Sequence, residues 1–188
     1  SAYDLAVTCD VPVILVVNAR GAALSIAATI NGFKNFRPNS HVVGAILNNV
    51  NPMTYMFYKG VIEEETGVKL VGYFPVMQDC NFESRHLGLV TAEEIGDLQQ
   101  IVNRLAEQAA KSIDFEALLE LANGAAPLKY SKPEIEVIGH PKIAVAQDKA
   151  FCFYYQDALD LFADLGATLV PFSPTYDEHL PECDGLFL

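Results

Sequence analysis

Apolar residues come in short unbroken runs, separated by longer stretches where they recur every third or fourth position. The first three runs are Val13-Ile14-Leu15-Val16-Val17, Val42-Val43-Gly44-Ala45-Ile46-Leu47 and Leu70-Val71-Gly72-Tyr73-Phe74. Continuous aliphatic runs of this length predict parallel strands, buried on both faces and covered by helices. Between the first two runs, Ala22 to Phe36 is rich in Ala, Leu and Ile and predicts a helix. Asn51-Pro52 opens the next helix, with Asn as N-cap and Pro at the first helical position. Gly67 supplies its left-handed stop after Thr66. The order β-α-β-α-β is the unit of a doubly wound sheet.

A long loop, Pro75 to Val90, follows the third run. Thr91 and Glu94 have capping-box spacing, and Ile95, Leu98, Ile101, Val102, Leu105 and Ala109 then recur on one helical face. Asp114 is placed to cap a short helix ending near Gly124. Pro127, Pro133 and Pro141 interrupt the next stretch, so residues 123–141 read as a linker between a first domain, 1–122, and a second α/β unit, 142–188. In that unit Lys142–Ala146 and Ala167–Phe172 predict strands, Tyr155–Leu165 a helix stopped by Gly166, and Asp184–Leu188 the start of another strand. It is too small to cover both faces of a sheet, and its last strand feeds no loop. The chain is therefore expected to be cut within a domain. Open edges are then expected to drive homo-oligomerisation or strand exchange between copies.

Charge changes the picture of partners. The 188 residues hold 12 Lys and Arg against 24 Asp and Glu, a formal charge of −12. An acidic excess argues against nucleic acid as the main partner. Residues 1–60 nevertheless carry four basic and two acidic side chains, so the first third tolerates an anionic ligand that the rest repels. No apolar run is long enough to span a bilayer and no leader precedes the first strand, so neither a membrane nor an export route is expected. Cys9, Cys80, Cys152 and Cys183 form no C-x-x-C pair, which gives no zinc ribbon or disulfide framework and fits a reducing cytoplasm. No metal ligand set stands out. There is no Gly-Lys pair, hence no P-loop, and no G-x-G, H-E-x-x-H or G-x-S-x-G motif.

Candidate chemistry gathers where strands end. Asn18-Ala19-Arg20-Gly21 follows the first strand, and Arg20 is either an anion-binding side chain or an ordinary turn residue. Asn48, ending the second strand, either reads a purine edge or serves as a turn residue. Pro75, ending the third, either holds backbone near a base or stops the strand. Arg85 and His86 form a basic pair in the long loop, suited to an acidic substrate or simply exposed. Phe151-Cys152-Phe153-Tyr154-Tyr155 is aromatic on too many consecutive positions for one buried helix face, so part of it is expected to line a cleft or interface. With no basic neighbour in sequence, Cys152 reads as a buried thiol rather than a nucleophile.

Taken together the pieces resemble the cobyrinate a,c-diamide synthase family. The resemblance is carried by Val16–Gly21, Ile46–Val50, Gly72–Pro75, Glu83–Leu89 with Ser84 inserted, Ala150–Tyr155, Gly166–Pro174, Asp177–Pro181 and Asp184–Leu188, in the family's order over nearly the whole chain. It implies the C-terminal half of a P-loop NTPase domain similar to dethiobiotin synthetase, followed by the start of a class I glutamine amidotransferase α/β domain. The implied activity is ATP- and glutamine-dependent amidation of the a and c carboxylates of cobyrinate, in cobalamin synthesis, through an acyl phosphate. ATP and Mg²⁺ are the implied cofactors, with the Mg²⁺ ligands and the glutaminase Cys and His outside these residues. The piece itself is then expected to be inactive. By position, Asn48 and Pro75 would contact adenine. Arg85, His86 and less directly Arg20 would meet the corrinoid carboxylates, and Tyr154 and Tyr155 would face the domain interface. Three positions depart from the pattern: Asn18 replaces Asp, Asn49 replaces Arg, and Ala158 replaces Asn. They leave open a paralogue acting on nickel-sirohydrochlorin, or a non-catalytic scaffold. The Phe153-Tyr154-Tyr155 segment argues against a cobyric acid synthase.

Overall fold

A computed structural model of the chain describes residues 1–80, 97–131 and 133–188. Described residues up to Lys129 form one compact unit and those from Tyr130 onward a second.

In the first unit the apolar runs become strands β1 (Val13–Asn18), β2 (Val42–Asn48) and β3 (Lys69–Phe74), all parallel, in the order β1-β2-β3. The chain opens with helix α1 (Ala2–Cys9), which sequence reading left unassigned. Its signal is a capping box, in which the Ser1 hydroxyl accepts from the Asp4 N–H and the Asp4 carboxylate accepts from the Ser1 ammonium. Helices α2 (Ser25–Asn35) and α3 (Pro52–Thr66) are the crossovers. As the sequence predicts, Asn51 caps α3 by accepting from the Thr54 N–H, Pro52 holds the first position, and Gly67 ends the helix at φ 60°. Ile26, Ala27 and Ile30 of α2 and Tyr55 and Ile62 of α3 pack on Val17, Ala45, Leu47 and Leu70 in one core. Inside it the Tyr55 hydroxyl donates to the Leu70 carbonyl oxygen at 3.2 Å. Burial, with Glu63 and Asp114 nearby, pushes that hydroxyl up to about 12, so it stays a donor across the neutral range.

Helices α4 (Leu98–Ser112) and α5 (Phe115–Asn123) meet in an elbow that docks on β3. Asp114 caps α5, as predicted, and its own N–H donates to the Val71 carbonyl oxygen at 2.8 Å. The Thr91 capping box lies outside the described residues. Two glycines make the docking possible. A Cβ on Gly72, whose φ is +150°, would sit 2.5 Å from the Ser112 carbonyl oxygen. One on Gly44 would sit 2.9 Å from a methyl of Leu121 in α5.

One expectation about the strands fails. The β1 run does not lie between two apolar layers, since Val16 is 68% exposed. Alternate side chains of β1 join the α2–α3 core, but no described element covers Val16 on the other face.

The second unit holds β4 (Lys142–Ala146), α6 (Gln156–Asp164), β5 (Thr168–Phe172) and β6 (Gly185–Phe187). Its sheet is parallel in the order β5-β4-β6, over a small core of Ala144, Ala146 and Phe172. The architecture of both units is thus α/β with parallel sheets.

The elbow contact gives a direct test. Gly72→Ala must displace backbone, not a flexible side-chain end, and is expected to lower unfolding stability by about 2 kcal/mol or more in urea denaturation. Gly32→Ala, in α2 with nothing within 4 Å of the new methyl, is expected to be neutral or to stabilise by up to about 1 kcal/mol.

Candidate functional site

The parallel register sets three strand ends level. Asn18 pairs with Asn48, and Asn48 pairs with Phe74. The ladder continues one residue further, with Ala19 N–H donating to the Asn48 carbonyl oxygen at 2.8 Å and Val50 N–H to that of Phe74 at 3.0 Å. Carboxyl ends of parallel strands are where open α/β sheets hold ligands.

Three carboxamides tie this edge together. Asn18 Oδ1 accepts from the Arg20 N–H at 3.2 Å and from Asn49 Nδ2 at 3.1 Å. Asn48 Oδ1 accepts from the Asn49 N–H at 3.0 Å. The bond across strands needs Asn49 in the left-handed region, at φ 61°, a conformation Asn tolerates through its short polar side chain.

Beside this row lies a cavity of about 230 Å³. Asn48, Asn49, Phe74 and Pro75 form its strand side, and Met77, Cys80 and Leu105 of α4 close it. Phe74, Pro75, Met77 and Leu105 give it apolar surface while Asn48 and Asn49 contribute carboxamides, so its lining is of mixed polarity. A larger recess of about 480 Å³ between α1 and α2, lined by Tyr3, Phe33 and Phe36, is apolar and away from every strand end.

Asn48 and Pro75 are therefore brought to one cavity. Arg20 stands at the same edge, with its side chain exposed, outside the cavity lining and without an ion-pair partner among the described residues. Arg85 and His86 lie outside the described residues. In the second unit the Tyr154 ring packs on Phe187, centroids 5.4 Å apart, with its hydroxyl buried and without a hydrogen-bond partner among the described residues. Tyr155 is 84% exposed. Among the described residues no three His, Cys, Asp or Glu side chains converge on a metal-sized site.

The expectation that Cys152 is a buried thiol fails. Cys152 is exposed, because residues 147–155 loop outward beyond β4. Cys80 is the buried one, and it faces the cavity. Only the fold brings Cys80 there; nothing in its sequence neighbours marks it.

Asp148 was also missed. Its Oδ1 accepts from the N–H groups of Ala150 and Phe151 at 2.8 and 3.0 Å. Its Oδ2 accepts from Ser173 Oγ at 2.7 Å and the Thr175 N–H at 3.1 Å. One carboxylate thus joins the loops at the carboxyl ends of β4 and β5. The signal was an Asx turn, an Asp just after a strand with free amides two and three residues on. The Ser173 hydroxyl, opposed by some desolvation and aided by the backbone donors, holds the Asp148 carboxyl well below the usual carboxylate range.

A family model described as an AAA domain matches residues 1–84. Curated relatives named cobyrinate a,c-diamide synthase match almost end to end. The protein of Listeria monocytogenes serotype 4b is 38% identical over 180 residues, covering 94% of this chain and 40% of the relative. That of Methanosarcina barkeri is 39% identical over 203 residues, covering 100% and 41%. That of Gloeobacter violaceus is 39% identical over 181 residues, covering 94% and 39%. The chain spans about two-fifths of the length of the curated relatives it matches. No solved structure gives a significant match. No helix among the described residues is long and apolar enough to cross a membrane.

The Asp148 node makes stability depend on acid. A carboxyl whose folded value is depressed stabilises the fold above its ordinary value of 3.8, and that contribution drains away as pH falls toward the folded value. The stability advantage of wild type over Asp148→Asn, read from melting curves, is expected to hold from neutral pH down to about 3.8 and to shrink only below it. Parallel curves at all pH values would contradict this origin.

Proposed function

Since the chain belongs, over the segment it matches, to the cobyrinate a,c-diamide synthase family, we propose that it serves an amidoligase of corrinoid carboxylates in cobalamin synthesis. In the proposed reaction ATP phosphorylates a side-chain carboxylate and ADP leaves. Ammonia released from glutamine attacks the acyl phosphate carbon, expels inorganic phosphate, loses a proton and leaves the amide. The first unit supplies the base-binding edge of the nucleotide lobe, and the second begins the glutamine-using lobe. The chain holds no P-loop, so capture of the triphosphate and its Mg²⁺ is not assigned to it.

What carries this reading is the cavity at the level strand ends. Asn48 and Pro75, singled out by the resemblance as adenine contacts, line one recess together with Asn49 and the apolar side chains of Phe74, Met77 and Leu105. A purine ring fits by stacking on such walls while a carboxamide meets its polar edge. Arg20, Arg85 and His86 remain the proposed contacts for substrate carboxylates, where a cation offsets anionic charge that phosphorylation increases. Tyr154 and Tyr155 remain proposed for a domain interface. A soluble, cytoplasmic setting is proposed with the pathway.

Cys80 offers the test. It lines the cavity, whereas Cys152 is exposed and serves as an internal control. Millimolar ATP or adenosine is expected to slow alkylation of Cys80 by a small thiol reagent, read by peptide mass spectrometry, by about threefold or more, with Cys152 unchanged. Asn48→Ala is expected to remove the protection. Equal alkylation of Cys80 with and without nucleotide would sink the adenine assignment.

A further inference from the structure

The outer face of α3 is apolar where a surface helix is ordinarily polar. The inner face buries Tyr55, Ile62 and Thr66. The opposite face carries Met53, Met56, Phe57, Gly60 and Val61, a stripe at helical spacing. Met53, Met56 and Phe57 are 81%, 77% and 74% exposed. Only Glu64, at the carboxyl end of the same face, interrupts the stripe. Methionine and phenylalanine in one exposed stripe are the make-up of a protein contact surface.

Shape and charge indicate the occupant. Phe57 stands out from the helix. Gly60, one turn on along the same face, has no atom within 4 Å of where a Cβ would sit. A projection and a notch this close on one stripe are self-complementary about a two-fold axis. We propose that α3 packs antiparallel against α3 of a second copy of this chain. The axis passes between Phe57 and Gly60, so that each Phe57 fills the notch at the other copy's Gly60. Met56 of one copy then meets Val61 of the other. The same register sets Glu64 of one copy beside Met53 of the other, at the amino-terminal end of α3, where the helix dipole favours a carboxylate. Parallel pairing would instead oppose the two Glu63-Glu64-Glu65 runs. The stripe covers on the order of 500 Å² per copy, hence about 1,000 Å² in the pair, the lower bound for a specific interface.

Sedimentation of the chain over a concentration series, up to about 200 µM, tests this. Wild type is expected to show a reversible monomer–dimer equilibrium. Phe57→Asp removes the projection, and Gly60→Leu fills the notch on a helix where Leu is the better former. Each is expected to raise the dissociation constant tenfold or more, with circular dichroism melts showing that both variants stay folded. A wild-type monomer throughout the range overturns the proposal, because some other partner, or more of a longer chain, then covers the stripe. A dimer that survives either substitution also overturns it, since the contact then lies elsewhere, for instance at an open strand edge.

Discussion

Level strand ends are the constraint on which the first unit depends, and burial enforces them. Leu47 is 1% exposed in the α2–α3 core, and its neighbour Asn48 ends the strand at the edge. A slip of β2 by one residue would carry Asn48 into that core and Leu47 out of it, because side chains alternate faces along a strand. An unpaired buried carboxamide and a lost leucine together cost several kcal/mol at the order-of-magnitude level. The register so fixed pairs Asn18 with Asn48 and Asn48 with Phe74, and only then do the strand-end loops bound a cavity. On the other face the elbow between α4 and α5 presses on Gly72, which keeps β3 in place and sets Leu105 against the same cavity.

Much of this was legible in the sequence because it is written in local chemistry. Asn51-Pro52 and Gly67 mark both ends of α3 through backbone preferences that tertiary contacts do not alter. The apolar runs mark the strands, since a strand covered by helices needs little polar surface. What was not legible depends on coverage and on distant partners. Val13–Val17 is as apolar as the β2 run, yet Val16 lies open, because coverage of a face is set by elements elsewhere in the chain. Cys152, read as buried, is exposed for the same reason, and Cys80 is buried without a sequence signal. Buriedness of a loop thiol depends on where the loop lands, and neither residue's neighbours encode that. Gly72 was noted as part of a motif, but its need to be glycine shows only when Ser112 arrives at its backbone.

The second unit achieves the same kind of edge by different means. Its core is small, and the loops after β4 and β5 are tied together by a charge, with Phe151 of the first also packed on that core. Asp148 uses both carboxylate oxygens to accept four donors, so the turn after β4 and the turn after β5 share one acceptor. Each bond is charge-assisted and hence stronger than its neutral counterpart. Ser173 extends the tie, with its N–H donating to Asp177 at 2.7 Å and its hydroxyl accepting from the Tyr176 N–H at 3.1 Å. The exposed rings of Phe153, Tyr155 and Tyr176 therefore sit in or beside loops whose course a single aspartate organises.

Two of the departures from the family pattern gain meaning from being neighbours. Asn18 and Asn49 lie 31 residues apart, and each replaces a charged residue of the pattern that the chain resembles, an Asp and an Arg. In the structure they are the two ends of one hydrogen bond, 3.1 Å long, across the ends of β1 and β2. Replacing one member alone would strand a charge opposite a carboxamide. Replacing both keeps a donor facing an acceptor and removes two charges of opposite sign, leaving the local balance unchanged. The tie between strands is therefore neutral in this chain. A neutral tie is weaker than an ion pair and less sensitive to salt, and because Asn is shorter than Arg it demands a closer approach of the two strand ends. Asn49 still has to adopt its left-handed backbone to make it. The paired departure thus leaves an edge with no charge of its own at these two positions, where a hydrogen bond joins the strands beside the cavity that Asn48 lines.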